Sequence, residues 1–180
     1  MKLIVVSNRL PFEIGEEQGR LVVRQTAGGV ATGFHAYIAA RISLDPDFSY
    51  CWAGWPGPVP EERWSELLAQ AGPHYAPVAL SVDQMEKFYD GFCNRTLWPL
   101  LHSFPMLTEY DDEFWRLYDE VNRLYCEKIA EIAGEDDIIF VNDYHLMLLP
   151  RLLRARLPRI KIVFFLHTPF PHFGIFRLLP

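Results

Sequence analysis

Three short apolar runs, rich in β-branched and aromatic residues, each stop abruptly at polar residues. Lys2–Ser7 runs into Asn8-Arg9, Ile138–Val141 into Asn142-Asp143-Tyr144-His145, and Lys161–Leu166 into His167-Thr168-Pro169-Phe170-Pro171. None alternates apolar with polar, so none has a face to give to water. Such runs read as strands buried on both sides, and a sheet built from them needs a layer on each face. Further strand signals lie at Leu21–Gln25, read as half of a hairpin, and at Tyr50–Ala53 and Tyr75–Leu80.

Helical patterns separate the strands. A small-residue helix runs from the glycine stretch 27–33 to about Ile42, and Asp45-Pro46-Asp47 breaks it. Glu61–Ala71 ends at Gly72-Pro73, and Ser81-x-x-Gln84 is a capping box opening a helix through Phe92. The clearest helix is Asp111–Ala133, where Phe114, Leu117, Tyr118, Val121, Leu124, Tyr125, Ile129 and Ile132 form one apolar stripe. Tyr144–Leu157 is helical, with Pro150 kinking or re-starting it, and a last helix begins at Gly174. Strands alternating with helices predict an α/β fold: a Rossmann-like, mostly parallel sheet with helices on both faces.

Charge and cysteine usage narrow the function classes. The net charge is −6, which argues against nucleic acid as a partner. No apolar run nears the roughly 20 residues needed to cross a bilayer. Cys51, Cys93 and Cys126 are odd in number and form no C-x-x-C, so neither a disulfide framework nor a zinc site is expected. Cys126 reads as a buried thiol, and a reducing, cytoplasmic compartment fits. His167 and His172 are separated by Pro169 and Pro171, and H-E-x-x-H is missing, so metal chemistry is not expected. No G-x-S-x-G elbow marks a serine hydrolase.

Ligands of open α/β sheets sit at the carboxyl ends of strands. In a parallel sheet the three polar clusters share one rim, which would gather Arg9, Asp143 and His167. Arg9 is a forked cation suited to phosphate or carboxylate, or it pairs with a loop acid. His167 is a preorganised donor or acid/base, or a satisfied core histidine. Asp143 holds a sugar hydroxyl or caps the following helix. Gly28-Gly29-Val30-Ala31-Thr32-Gly33 opens a helix, either as a tight turn or as an anion site at its N-terminus. Among the aromatic residues Trp52, Trp55, Tyr89, Trp98 and Trp115, Trp115 reads as core or interface. Trp55 and Trp98 lie beside prolines, as loop packing or as walls against a sugar ring. With Arg9 they suggest a phosphorylated sugar.

Taken in order, these motifs closely resemble the N-terminal part of the trehalose-6-phosphate synthase family, retaining glucosyltransferases of the two-lobed GT-B fold. The resemblance rests on Ser7-Asn8-Arg9-Leu10-Pro11, Gly28-Gly29-Val30-Ala31-Thr32-Gly33, Trp52-Ala53-Gly54-Trp55-Pro56-Gly57, Phe88-Tyr89 with Asn94-x-x-Leu97-Trp98-Pro99, Asp143-Tyr144-His145-Leu146 and His167-Thr168-Pro169-Phe170-Pro171. It implies that residues 1–180 are an incomplete acceptor-binding lobe and that the donor-binding lobe lies outside this chain. The implied reaction moves glucose from UDP-glucose to glucose 6-phosphate, giving trehalose 6-phosphate and UDP. No metal or cofactor takes part, and the leaving phosphate helps to take the acceptor proton. By the same resemblance Arg9, Tyr89, Trp98 and Trp55 bind glucose 6-phosphate, Gly28 and Gly29 approach the donor diphosphate, and His167 and Asp143 line the sugar pocket, His167 touching the donor glucose. The chain alone is then inactive.

Two positions depart from the family pattern. Asn142 stands where many members have His, and His172-Phe173-Gly174 stands where many have two small polar residues and Glu. Two alternatives stay open: a related synthase with another acceptor such as glycerol 3-phosphate, and a non-catalytic sugar-phosphate-binding or regulatory subunit. A homo-oligomeric parent is left open as well.

Overall fold

The computed structural model describes residues 1–26 and 28–180. Ala27, first residue of the predicted glycine stretch, lies outside them. Five strands form one parallel sheet in the order β5-β4-β1-β6-β7: β1 is Lys2–Arg9, β4 Ser49–Trp55, β5 Tyr75–Pro77, β6 Ile138–Asn142 and β7 Lys161–Phe165. The chain builds outward from β1 on one side through β4 and β5. It then crosses back to place β6 against the other edge of β1, so the order reverses beside β1. That reversal leaves a crevice beyond the carboxyl ends of β1 and β6, the usual ligand position in open sheets. A separate antiparallel hairpin, β2 (Phe12–Glu17) and β3 (Arg20–Gln25), supplies the predicted Leu21–Gln25 strand.

Both faces of the sheet are covered at β1, β4 and β6, as continuous apolar strands require. They are not at β7, where Val163, Phe164 and Phe165 are exposed although the run Lys161–Leu166 reads as buried on both sides: β7 is an edge strand with little packed against it. Ile4, Val6, Ile139 and Val141 point to one side. There they meet Leu117, Tyr118, Val121, Tyr125 and Ile129 of α5 (Asp112–Ile132) and Leu149 and Leu153 of α6 (Leu149–Arg156). Val5 and Trp52 point the other way, toward Ala31 and Ile38 of α1 (Gly29–Leu44), Leu67 of α2 (Trp64–Ala71) and the hairpin's Phe12 and Leu21. Cys93 and Cys126 are buried free thiols. Among the described residues no helix is long and apolar enough to cross a membrane.

Local signals set most helix limits. Asp111 Oδ1 caps α5 by accepting from the Glu113 N–H at 2.7 Å. Ser81 and Gln84 form the predicted capping box. The helix it opens does not stop at Phe92: α3 (Val82–Met85) continues through a wide π-wound stretch, Glu86–Leu97, into α4 (Trp98–Leu101). Gly91 lets this stretch approach α5, since a Cβ there would stand 2.8 Å from the Phe114 ring. Pro150 re-starts the helix predicted over 144–157: a 3₁₀ turn, Tyr144–Leu146, precedes α6. The last helix, α7 (Phe173–Phe176), is a single turn capped by His172 Nδ1. The rim near β7 stays bare, with Phe165 50% and Phe173 69% exposed. Trp115, predicted as core or interface, is 47% exposed.

Gly54 is where β4 touches the end of β1. A Cβ there would stand 2.8 Å from the Arg9 carbonyl carbon and the Leu10 nitrogen, and 2.9 Å from the Ser7 oxygen. Backbone on three sides cannot yield as a side-chain tip would. Gly54→Ala should therefore cost about 3 kcal/mol of stability in urea unfolding.

Candidate functional site

A cavity of about 720 Å³ opens at the crevice beyond β1 and β6. Its wall includes Ser7, Asn8 and Arg9 from the end of β1, Trp52 and Trp55 from β4, and Tyr89 from the π-wound stretch. Gly28 before α1, Asn142 at the end of β6, Asp143 just after it, His145 and His167 also line it. The structure thus joins Arg9, Asp143 and His167 on one rim, with Trp55, Tyr89 and Gly28 beside them.

The end of β1 is held in an irregular shape. Its register with β4 shifts between Val6 and Arg9. Trp52 Nε1 donates to Ser7 Oγ at 2.7 Å, and Ser7 Oγ donates to the Arg9 carbonyl at 2.7 Å. From the core, the Tyr125 hydroxyl donates to the Asn8 carbonyl at 2.6 Å and accepts from the Trp55 N–H at 3.1 Å. Burial raises the pKa of that phenol, so it keeps its proton and remains a donor. The result is a placed cation: the Arg9 guanidinium lies 5.0 Å from the Trp55 ring and 5.0 Å from the Tyr89 ring. Among the described residues no carboxylate forms an ion pair with Arg9, so the loop-acid alternative drops out.

The turn after β6 is equally constrained. Asp143 has φ 72° and ψ 170°, a region that side-chain-bearing residues rarely occupy. Its Oδ1 accepts from the Tyr144 N–H at 2.9 Å and the His167 N–H at 3.3 Å, and its own N–H donates to the Phe165 carbonyl at 2.7 Å. Asp143 therefore caps the turn, as one reading had it, while also lining the cavity. α5 fixes the rest. Tyr118 Oη donates to the Tyr144 carbonyl at 2.7 Å and accepts from the Met147 N–H at 3.1 Å. Asn122 Nδ2 donates to the His145 carbonyl at 3.2 Å, and its Oδ1 accepts from the Leu149 N–H at 3.1 Å.

His145 lies between the rings of Tyr144 (4.1 Å) and Tyr89 (5.5 Å), with Nδ1 3.8 Å from Asp143 Oδ2. His167 is exposed and no core histidine; its Nε2 lies 3.1 Å from Asn142 Oδ1. Trp98 is outside the cavity wall: its indole packs on His102 at 3.9 Å and lies 5.8 Å from Tyr144. Gly29 begins α1, while Gly28 just before it reaches the wall. The residues that sequence reasoning did not assign to a site are Ser7, Trp52, Tyr118, Asn122, Tyr125 and His145. Most act through buried polar atoms on otherwise apolar stripes, which hydrophobic patterning does not register.

Tyr125→Phe leaves the Asn8 carbonyl and the Trp55 N–H without their partner. It should cost about 2–4 kcal/mol in urea unfolding. A second expectation concerns acid. Burial lowers the His145 pKa to about 4, against the pull of Asp143 and helped by the Arg9 cation. The unfolded ring titrates near 6.5. Between these values the unfolded chain binds a proton that the folded chain refuses, so stability falls as pH falls through that window. The loss should be about 2 kcal/mol from pH 7 to pH 5. His145→Phe keeps a stacking ring and should remove that share of the pH dependence.

The model of glycosyltransferase family 20 matches residues 1–180. The bifunctional trehalose-6-phosphate synthase/phosphatase of Thermoproteus tenax is 39% identical, over 100% of this chain and 24% of its own length. The UDP-forming α,α-trehalose-phosphate synthase of Emericella nidulans is 38% identical, over 99% of this chain and 36% of its own. Among solved structures, one from E. coli bound with UDP-2-fluoro glucose matches with a TM-score of 0.76 at 31% identity, covering 100% of this chain and 36% of that one. A UDP-forming α,α-trehalose-phosphate synthase from Burkholderia xenovorans in complex with glucose-6-phosphate matches with 0.71 at 30%, covering 99% and 36%. The chain therefore spans 24% to 36% of the length of these proteins. With the family model matching residues 1–180 of this chain and the strand-end motifs gathered on one rim, the chain belongs to glycosyltransferase family 20.

Proposed function

We propose that residues 1–180 are the acceptor-binding lobe of a retaining glucosyltransferase that moves glucose from UDP-glucose to glucose 6-phosphate. The products are trehalose 6-phosphate and UDP. A donor-binding lobe outside this chain completes the cleft, and the chain alone is inactive. The observation that carries this reading is Arg9, a cation with no acidic partner among the described residues, held between two aromatic rings at the mouth of a sugar-sized cavity.

The roles follow from the chemistry of each group. Arg9 takes the acceptor phosphate, and its ring contacts limit the side-chain freedom that binding would otherwise cost. Trp55 and Tyr89 give apolar walls to the sugar, and Trp98, tilted against His102 outside this cavity, is assigned to the acceptor by the family resemblance alone. One carboxylate oxygen of Asp143 is engaged by backbone N–H groups, which leaves Oδ2 to accept from a sugar hydroxyl. His167 meets the donor glucose. Gly28 has φ −67°, and among the described residues a Cβ on Gly28 or Gly29 would meet nothing within 4 Å. Neither conformation nor packing calls for glycine there; the remaining use is close approach of the donor diphosphate to the N-terminus of α1. We assign no metal or cofactor, treat UDP-glucose as a substrate, and place the enzyme in the cytoplasm.

The test is UDP release from UDP-glucose by a longer chain containing this sequence, with and without glucose 6-phosphate. Release that depends on glucose 6-phosphate is expected; release with glycerol 3-phosphate alone would move the reading to a related synthase. No acceptor-dependent release ends it. Arg9→Ala should weaken glucose 6-phosphate, read as KM or by calorimetry, by about 10- to 100-fold. Unchanged affinity would remove Arg9 from the phosphate site.

A further inference from the structure

Asn142 ends β6 with 1% of its surface exposed. Its Nδ2 lies 3.1 Å from the Val6 carbonyl oxygen and 3.4 Å from the Phe140 carbonyl oxygen. Carbonyl oxygens only accept, so the amide group facing them is the NH₂, and the orientation of the side chain is settled. Oδ1 then points the other way, 3.1 Å from Nε2 of His167. An amide oxygen also only accepts, so this contact requires a proton on Nε2. A neutral imidazole carries one ring proton, and with it on Nε2 the lone pair resides on Nδ1.

We infer that Asn142 is a positioning residue that selects the Nε2–H tautomer of His167 and so makes Nδ1 a hydrogen-bond acceptor. The neighbouring residue holds the same histidine by its main chain, since Asp143 Oδ1 accepts from the His167 N–H at 3.3 Å. The Phe165 ring, 4.7 Å away, packs against the imidazole. Backbone position, ring plane and proton position are thus all set from the ends of β6 and β7. An acceptor at Nδ1 selects a partner that can donate, such as a sugar hydroxyl, and disfavours a phosphate or ring oxygen. This last step rests on the reading that His167 meets the donor sugar, whereas the tautomer itself does not.

The test has two arms. Long-range ¹H–¹⁵N correlation on the ¹⁵N-labelled chain at neutral pH reads which ring nitrogen of His167 is protonated, with His167→Gln identifying its signals. The Nε2–H pattern is expected in the wild-type chain, and a shift toward averaged tautomers in Asn142→Ala. A dominant Nδ1–H tautomer in the wild type overturns the inference, as does an unchanged tautomer in folded Asn142→Ala. Should that variant fail to fold, Asn142→Ser, too short to span both partners, takes its place. The second arm measures UDP release by a longer chain. Asn142→Ala should raise the KM for UDP-glucose or lower kcat/KM about 5- to 10-fold, with the KM for glucose 6-phosphate within about twofold. The expected tautomer without any UDP release would overturn the proposed function and leave the tautomer standing. A lost tautomer with unchanged kinetics would overturn the link from Asn142 to the donor sugar.

Discussion

Between Asn8 and Trp55 one phenolic hydroxyl, that of Tyr125, bridges the ends of β1 and β4, donating to one strand and accepting from the other, beside the Leu10 N–H bond to the Trp55 carbonyl at 2.9 Å. The sheet ladder slips there, and without a polar atom from the core two buried backbone groups would face each other unpaired. The slip is what turns Arg9 toward the Trp55 ring at 5.0 Å. A cation at the rim is therefore aimed by a residue in the middle of a helix on the buried side of the sheet. Tyr118 and Asn122, on the same face of that helix, treat the turn after β6 in the same way. The helix is both the apolar cover of one sheet face and the template for the polar rim.

This double use explains how far the sequence could be read. The strands were visible because they never alternate, and the long helix because its stripe recurs so regularly. Asp111, the Ser81–Gln84 pair and Gly72 marked helix limits where the structure has them. Arg9, Asp143 and His167 stood out because polar residues followed apolar runs without a break. What pattern could not show was that Tyr118 and Tyr125 matter for their oxygens as much as for their rings. Nor does composition announce the π-wound turn that carries Tyr89, because its backbone widening depends on packing against α5 through Gly91. The positive φ of Asp143 was hidden for the same reason: it is imposed by partners on β7, which come later in the chain.

Electrostatics at the rim follow a division of labour between buried and open groups. His145, stacked between two tyrosine rings, is kept neutral by burial. The charged groups on the cavity wall are Arg9, Asp143 and, from the hairpin, Glu13. A neutral imidazole beneath a carboxylate lets Asp143 keep its oxygen available, where an imidazolium would hold it in an ion pair. The strained backbone at Asp143 persists because three hydrogen bonds over-determine it.

The strand order has a consequence in time. β1 precedes the other four strands in the sequence but sits in the centre of the sheet, and its partner β6 joins it with Val6 beside Val141. Asn142 reaches back to Val6 across 136 positions of sequence. Until that far segment has been synthesised β1 has one free edge, and until Tyr125 has been, the slip at Arg9 lacks the hydroxyl that shapes it. At about 5–20 residues per second, the interval between synthesis of β1 and of β6 is on the order of ten seconds. During it the emerging chain exposes an apolar strand with open hydrogen-bonding groups. The open edge of this central strand thus closes only when β6 arrives, and the ligand rim waits longer still, for β7 and the His167 that follows it.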